Sequence, residues 1–442
     1  MTKIALIGQP GSGKTSSAKI LAKRLSYQCI DVDDSLLETA WKCTVAEKLD
    51  SSTQNQFLDA ENEVLLTALT NDSLPKSDVV LSLTGSNPMR DSCMKKLKET
   101  GWLIIFLDSP MGDILARLEV MKVNRIVGQG EMSMKDVLRY RQEFYKKWYD
   151  LRAFVGKNWT VEQQAEEIVK TMENAKKIEF LKSSRGSDKT YGLEEALLNG
   201  LAPDGGLYMP NTTEFYKFSV EQISRFVGYK YQETACVVLE KLIHHSDISP
   251  QKIKEFVENA YSSFENSEVV PVVKSELGGA EASVFLGELF HGPSGSFKDL
   301  ALQLTPQLVT NFLKKSGKKA LVVVATSGDT GSAVLEGFGR FGGDNVNIMV
   351  MFPTTGVSEV QKQQMLTFAS ENVKVVAVNG NFDDCQKLVK SLLVETEFKQ
   401  MLKEKYNLTL NTANSINWGR LLPQIVYIAF KNVGPASKFG HF

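Results

Sequence analysis

Residues 8–15 read GQPGSGKT, a Gly-x-x-x-x-Gly-Lys-Thr run between the apolar stretch KIALIG and a helix-like stretch opening at Lys14. Its glycines, Gly8, Gly11 and Gly13, let successive backbone N–H groups, that of Ser12 among them, converge on phosphate oxygens. The start of a helix adds a favourable dipole. Lys14 is then placed to bridge the terminal phosphates of ATP, and the Thr15 hydroxyl to ligate the accompanying Mg²⁺. Such a loop needs a strand feeding a helix, so the N-terminal region must be α/β.

The flanking pattern agrees. Ala18, Leu21 and Leu25 share one helical face, SDVVLSLTG and GWLIIFLDSP read as buried strands, and TVEQQAEEIVKTM opens with a Thr-x-x-Gln capping box. Alternation of this kind predicts a parallel sheet flanked by helices. A polar stretch at Glu173–Lys189 marks a boundary. After it come a turn-rich GLAPDGGLYMP and a mostly helical portion to about Glu265. From Ala282 the alternation returns: ASVFLGELF, KALVVVATSGDTG, VNIMVMFP and VKVVAVNGN are expected as strands of a second doubly wound sheet.

The 51 basic and 52 acidic residues leave a net charge of -1, so no bulk field attracts nucleic acid or an anionic membrane. The five cysteines are scattered without a CxxC pair, which argues against a disulfide framework or a thiolate zinc site. The four histidines lack metal-ligand spacing, so no metal is expected beyond Mg²⁺ with ATP. No apolar run reaches membrane-spanning length. A strand beginning within three residues of Met1 leaves no room for a leader. The expected location is cytoplasmic; a mitochondrial one would need a longer N-terminus.

Asp31 and Asp33, in CIDVDDSLLE, fall at a strand end. They either hold metal and an acceptor hydroxyl or cap the following helix. Arg125, in KVNRIVGQGEM, is either a lid residue over phosphates or a solvated arginine. With the phosphate loop and Arg141 in RQEFYKKWYD, these residues resemble shikimate kinase over about 170 residues. Two departures stand out. Leu58, in QFLDAENEVL, occupies the place of that family's substrate arginine, and Thr84 and Ser86 replace two glycines of a triplet. A leucine cannot supply the bidentate clamp that an arginine gives a carboxylate. The resemblance therefore implies nucleotide binding without shikimate phosphorylation, with Asp31, Asp33 and Arg141 at the acceptor and Mg²⁺ side.

Further on, FHGPSGSFKD sets Lys298 after a turn made mostly of backbone, and VVVATSGDTGSAVLEGF runs from a strand through Ser327–Gly331 into a helix. A lysine beside an anion-binding loop suits covalent capture of an aldehyde cofactor. With GLAPDGGLYMP and NTANSINWGRLLPQ in the same order, these motifs resemble threonine synthase from about Phe180 to Arg420. The resemblance implies a pyridoxal-phosphate enzyme of fold type II, like the tryptophan synthase β chain. The regions are then 1–175 (kinase-like), 176–270 (threonine synthase N-terminal) and 271–442 (catalytic, partial).

In that reading Lys298 bonds the cofactor and shuttles protons at Cα and Cβ of O-phosphohomoserine or a similar phosphorylated amino acid. Ser327, Gly328, Asp329 and Thr330 hold the substrate carboxylate and border the cofactor ring. Asn414 and Ser415 line the same cleft or cap the next helix, and His291 is a site group or a structural histidine. The product is threonine or, without hydration, a 2-oxo acid. A non-catalytic sensor of nucleotide or metabolite is the alternative. A homodimer is what the relatives suggest. After Leu421–Phe430 the chain has only a polar tail, where the family carries its cofactor-phosphate loop, so weak or absent cofactor binding is expected of this chain.

Overall fold

The computed structural model describes residues 2–71, 73–121, 126–127, 132–176, 180–211, 217–275, 284–368 and 371–433. They form two compact units. The first comprises Met1–Lys177 with Phe218–Arg225 and Ser249–Gln251; the second comprises Ile178–Lys217, Phe226–Ile248 and Lys252–Phe442.

The first unit is built on a parallel sheet of five strands: β1 (Lys3–Gly8), β2 (Gln28–Asp31), β3 (Val79–Ser82), β4 (Trp102–Asp108) and β5 (Leu151–Phe154), in the order β2-β3-β1-β4-β5. Lys3 pairs with Val79 on one side and Trp102 on the other. Successive side chains of a strand face opposite ways, so a strand covered on both faces must be apolar throughout. Ala5 and Ile7 accordingly join one core with Leu81 and Phe106, while Ile4 and Leu6 join another with Ala18 and Leu21. The Lys14–Leu25 helix and the Val161–Asn174 helix cover the second face. Thr160 and Gln163 form the expected capping box.

Residues 218–225 pack into this unit although they lie far along the chain. Arg225 Nη2 meets Asp108 Oδ1 at 2.6 Å, its Nη1 donates to Val155 O at 3.1 Å, and Arg152 lies 3.8 Å from the other Asp108 oxygen. The Asp108 side chain is only 3% exposed. Removing it leaves two largely enclosed guanidinium groups uncompensated, which is costlier than never burying the trio.

The second unit holds a parallel sheet of β11 (Lys319–Ala325), β12 (Val346–Pro353), β13 (Val373–Val378) and β14 (Leu408–Asn411), ordered β13-β12-β11-β14. A small antiparallel sheet, β6 (Leu181–Ser183), β7 (Thr190–Tyr191) and β8 (Tyr208–Pro210), precedes it. The sequence reading placed ASVFLGELF in the parallel sheet. Instead β10 (Val284–Gly287) pairs antiparallel with β9 (Val272–Ser275) in a separate two-stranded sheet. The link between them is too short for the crossover that a parallel pair requires. The place beside β11 is taken by β14, with Lys319 against Leu408. Among the described residues no helix is long and apolar enough to cross a membrane.

Asp108→Ala is expected to destabilise the first unit by about 3 kcal/mol, read as a lowered denaturation midpoint for that unit; an unchanged midpoint would show the trio to be dispensable.

Candidate functional sites

In the first unit the Gly8–Thr15 loop joins β1 to the Lys14–Leu25 helix as expected. Gly11 and Gly13 adopt φ of 74° and 90°, and a Cβ on Gly13 would come within 2.6 Å of Gln164 Oε1. Both positions need glycine. Ser12 N donates back to Gln9 O at 3.1 Å. Lys14 is 7% exposed and folds onto its own loop, its Nζ donating to Gly8 O at 2.9 Å and Gln9 O at 3.0 Å. Burial lowers its pKa to about 8, an effect partly offset by the nearby Asp33 carboxylate. An amine bonded only to carbonyls in a desolvated loop is poised to exchange them for phosphate oxygens. Thr15 Oγ1 lies 3.3 Å from Ser82 Oγ, at the end of β3.

Asp31 and Asp33 lie beside the phosphate loop. Asp31 Oδ1 accepts from Asp33 N at 3.0 Å, a capping contact, while both carboxylates act electrostatically on Lys14. Burial first, and then Asp31, push Asp33 up to about 6. Arg141, 2% exposed, joins the same neighbourhood and donates Nη1 to Val127 O at 3.1 Å. Arg125 lies outside the described residues. Leu58 is 3% exposed, packed with Phe57 and Val127 and bordered by Trp41 and Met89. The arginine position is thus an apolar wall.

Glu61 was missed by sequence reading. It is 1% exposed on the Gln54–Thr70 helix and accepts from Ser86 Oγ at 2.9 Å. Its signal was a carboxylate on the face shared by Phe57, Leu58 and Leu65, an unusual place for an unpaired charge. Burial pushes it from 4.5 up to about 7, against the pull of hydrogen bonds from Thr84 and Ser86.

In the second unit Lys298 directly precedes the short Asp299–Leu302 helix. The turn before it wraps around Asp299, which is 0% exposed and accepts from Ser294 N at 2.8 Å and Ser294 Oγ at 2.9 Å. Gly292 lies so close that a Cβ there would fall 2.4 Å from that of Asp299. Lys298 Nζ reaches across to Asp329 Oδ2 at 3.0 Å and lies 4.6 Å from the centre of the Phe297 ring. The lysine side chain is 19% exposed. The hydrogen bond from Lys298, ahead of its charge, holds Asp329 below the usual carboxylate range.

The loop carrying Asp329 is braced from below. Thr326 Oγ1 accepts from Gly328 N and Gly331 N, both at 2.9 Å. Gly328 has φ of 140°, and a Cβ on it would strike the Gln361 side chain. Gln361 donates to Asp329 Oδ1 while accepting from Ser358 Oγ at the start of its own helix. Thr330 sits in the first turn of the Asp329–Phe341 helix, and Ser327 is exposed. A helix start leaves its first N–H groups without intrahelical partners. Thr326 takes those of Gly328 and Gly331, and the Asp329 N–H serves its own carboxylate, which leaves that of Thr330 at the loop's open end.

Asn414 does not cap the following helix. Its amide instead accepts from Ala325 N at 3.1 Å and donates to Ala325 O at 2.8 Å, fastening the end of β11 just ahead of the loop. The cap belongs to Asn417, whose Oδ1 accepts from Gly419 N at 2.7 Å. Ser415 is exposed, and His291 Nε2 lies 2.7 Å from Glu288 Oε2. Sequence reading missed Thr326 and Gln361; the capping box at Ser358 was the one visible sign of the latter. Among the described residues no cluster of His, Cys, Asp and Glu is arranged to hold a metal ion.

Glu61 binds its proton more tightly in the folded state than in the unfolded one. Its contribution to stability is therefore fully present below pH 4.5 and is lost as pH rises through about 7. Glu61→Gln should match the parent protein near pH 5 and exceed it near pH 8, by roughly 3 kcal/mol at most. Thermal unfolding at the two pH values checks this, and equal behaviour at both would place the Glu61 carboxyl in water.

Three family profiles match the chain: Shikimate kinase over residues 10–173, Threonine synthase N terminus over 181–261, and Pyridoxal-phosphate dependent enzyme over 267–425. Human Threonine synthase-like 1 is 40% identical across 96% of this chain, which spans 58% of that protein's length. Threonine synthase of Pseudomonas aeruginosa is 41% identical, covering 55% of this chain and 49% of its own. The crystal structure of threonine synthase from Brucella melitensis, with PLP bound, superposes with a TM-score of 0.50 at 38% identity, over 59% of this chain and 52% of that one. In sequence, the chain is similar to shikimate kinase over its first part and to threonine synthase and the pyridoxal-phosphate-dependent enzymes over its second, where the fold is similar as well.

Proposed function

We propose that the second unit is a pyridoxal-phosphate-dependent lyase acting on O-phosphohomoserine or a similar phosphorylated amino acid, and that the first unit binds ATP with Mg²⁺. The observation that carries the first part is the 3.0 Å contact between Lys298 Nζ and Asp329 Oδ2, which sets the amine at the mouth of an anion-binding loop. The residues fit the cofactor's aldehyde: one amine, largely enclosed, with a carboxylate as its hydrogen-bonded partner. When bound, pyridoxal phosphate supplies an electron sink beside the substrate's α carbon.

The chain's own groups do the rest. Lys298, once freed from Asp329, would hold the cofactor and would carry protons at Cα and Cβ of the substrate. The backbone at this helix start, with the Thr330 amide foremost, binds the substrate carboxylate. Thr326, Gln361 and Asn414 position that loop without touching the reacting atoms. Phosphate would depart from the γ carbon; water entering at Cβ would give threonine, and without that entry hydrolysis of the amino group, with release of ammonia, would give a 2-oxo acid. In the first unit, Lys14 turns from the carbonyls of Gly8 and Gln9 to the terminal phosphates of ATP, and Thr15 ligates Mg²⁺.

Pyridoxal phosphate added in large excess to the purified chain, to offset the weak binding expected of it, should give a visible absorbance band distinct from that of the free cofactor. Borohydride should then fix the cofactor's mass to the peptide containing Lys298. Lys298→Ala should lose both signals yet keep the thermal shift produced by ATP–Mg²⁺. A parent protein that lacks both signals, or a variant that retains them, refutes the assignment.

A further inference from the structure

The Lys14 neighbourhood contains two charged groups to which ATP binding gives no role. Glu61 Oε2 and Arg141 Nε are both buried, and neither has a hydrogen-bond partner. The two residues are 1% and 2% exposed. They attract each other electrostatically, and both act on Lys14. One carboxylate and one guanidinium, each with a bonding position unused, therefore flank the amine assigned to the terminal phosphates.

Arg141 is held at this place by packing. A Cβ on Gly85 would come within 3.1 Å of Arg141 Nη2 and 2.9 Å of Pro10 in the phosphate loop. Glu61 is reached from the same segment, since Ser86 Oγ donates to its other oxygen. Leu58, one helical turn before Glu61, packs with Phe57 and with Val127, whose carbonyl accepts from Arg141.

This arrangement selects by charge. A ligand that is only anionic satisfies Arg141 but leaves the Glu61 carboxylate desolvated beside a like charge, which is strongly unfavourable. A neutral ligand leaves both groups short of a charged partner. A zwitterion satisfies both: its ammonium donates to Glu61 and its carboxylate accepts from Arg141. A hydroxyl on the same small molecule then faces Lys14 and the phosphate loop, and its aliphatic part meets Leu58 and Phe57.

Resting on the nucleotide-binding reading above, we propose that the first unit phosphorylates a short hydroxy-α-amino acid, with Glu61 and Leu58 setting this specificity. The hydroxyl oxygen forms a bond to the γ-phosphorus of ATP, the bond from that phosphorus to the β-bridging oxygen breaks, and ADP leaves with the electron pair. The hydroxyl proton passes to solvent. The product is a phosphorylated amino acid, the class of compound that the second unit's proposed elimination consumes. One chain thus carries a supplying reaction and a consuming one.

The test uses the full chain with ATP–Mg²⁺ and four probes: L-homoserine, L-serine, 4-hydroxybutyrate and shikimate. ADP release and product mass are measured, with the ATP-induced thermal shift recorded in parallel. At least one of the two amino acids should be phosphorylated, and 4-hydroxybutyrate and shikimate should not. Glu61→Gln should raise KM for that amino acid by roughly tenfold or more, the loss of one charge-assisted hydrogen bond, with the ATP shift unchanged. Phosphorylation of 4-hydroxybutyrate or shikimate as fast as of the amino acids overturns the proposal, as does an unchanged KM in Glu61→Gln. If ATP–Mg²⁺ stabilises the protein but neither amino acid is phosphorylated, the acceptor assignment fails alone. If ATP–Mg²⁺ gives no shift, the nucleotide reading fails with it.

Discussion

The hydrogen bond between Lys298 and Asp329 ties together two loops that lie 31 residues apart in the chain. One is a turn that ends in a lysine, and the other is the start of a helix. Each has an ordinary structural use when taken singly. Their chemical meaning lies in their adjacency, and that adjacency depends on β11 delivering the second loop beside the first. Asn414, Thr326 and Gln361 fix where β11 ends and how the loop turns. The site is therefore a product of sheet geometry as much as of its own side chains.

The same reasoning explains what was legible in the sequence. Gly8–Thr15 and Ser327–Gly331 could be read because their chemistry is local: glycines, a helix start and a hydroxyl within a few residues. The five-stranded sheet followed from strands apolar on both faces. By contrast, β10 was given to the wrong sheet, since a short apolar run looks alike in a hairpin and in a parallel sheet. Four-residue β14 carries too little pattern to register, yet it supplies the partner of Lys319. Asn414 was weighed as a cap because local rules favour that use, but its partner is 89 residues away.

Glu61 is the more instructive omission. Its neighbours Phe57, Leu58 and Leu65 mark a buried helical face, and a carboxylate there has to be explained. Attention to the leucine in the arginine's place drew the eye from what that leucine does. Against the arginine of the family that the chain resembles, it leaves that helix face with an acid and no cation. On the acceptor reading proposed above, with Glu61 and Arg141 acting on each other, that substitution would change what is recognised.

Asp299 has a bearing on affinity. Because its enclosed carboxylate clamps Ser294, the main chain at residue 298 is set by the fold alone. Ligand capture then requires ordering only the lysine's own rotamers, about 2 kcal/mol of entropy at most, whereas a floppy turn would add 1–2 kcal/mol for every backbone residue immobilised. Were this lysine to take an aldehyde, the entropic toll on its main chain would already have been met during folding.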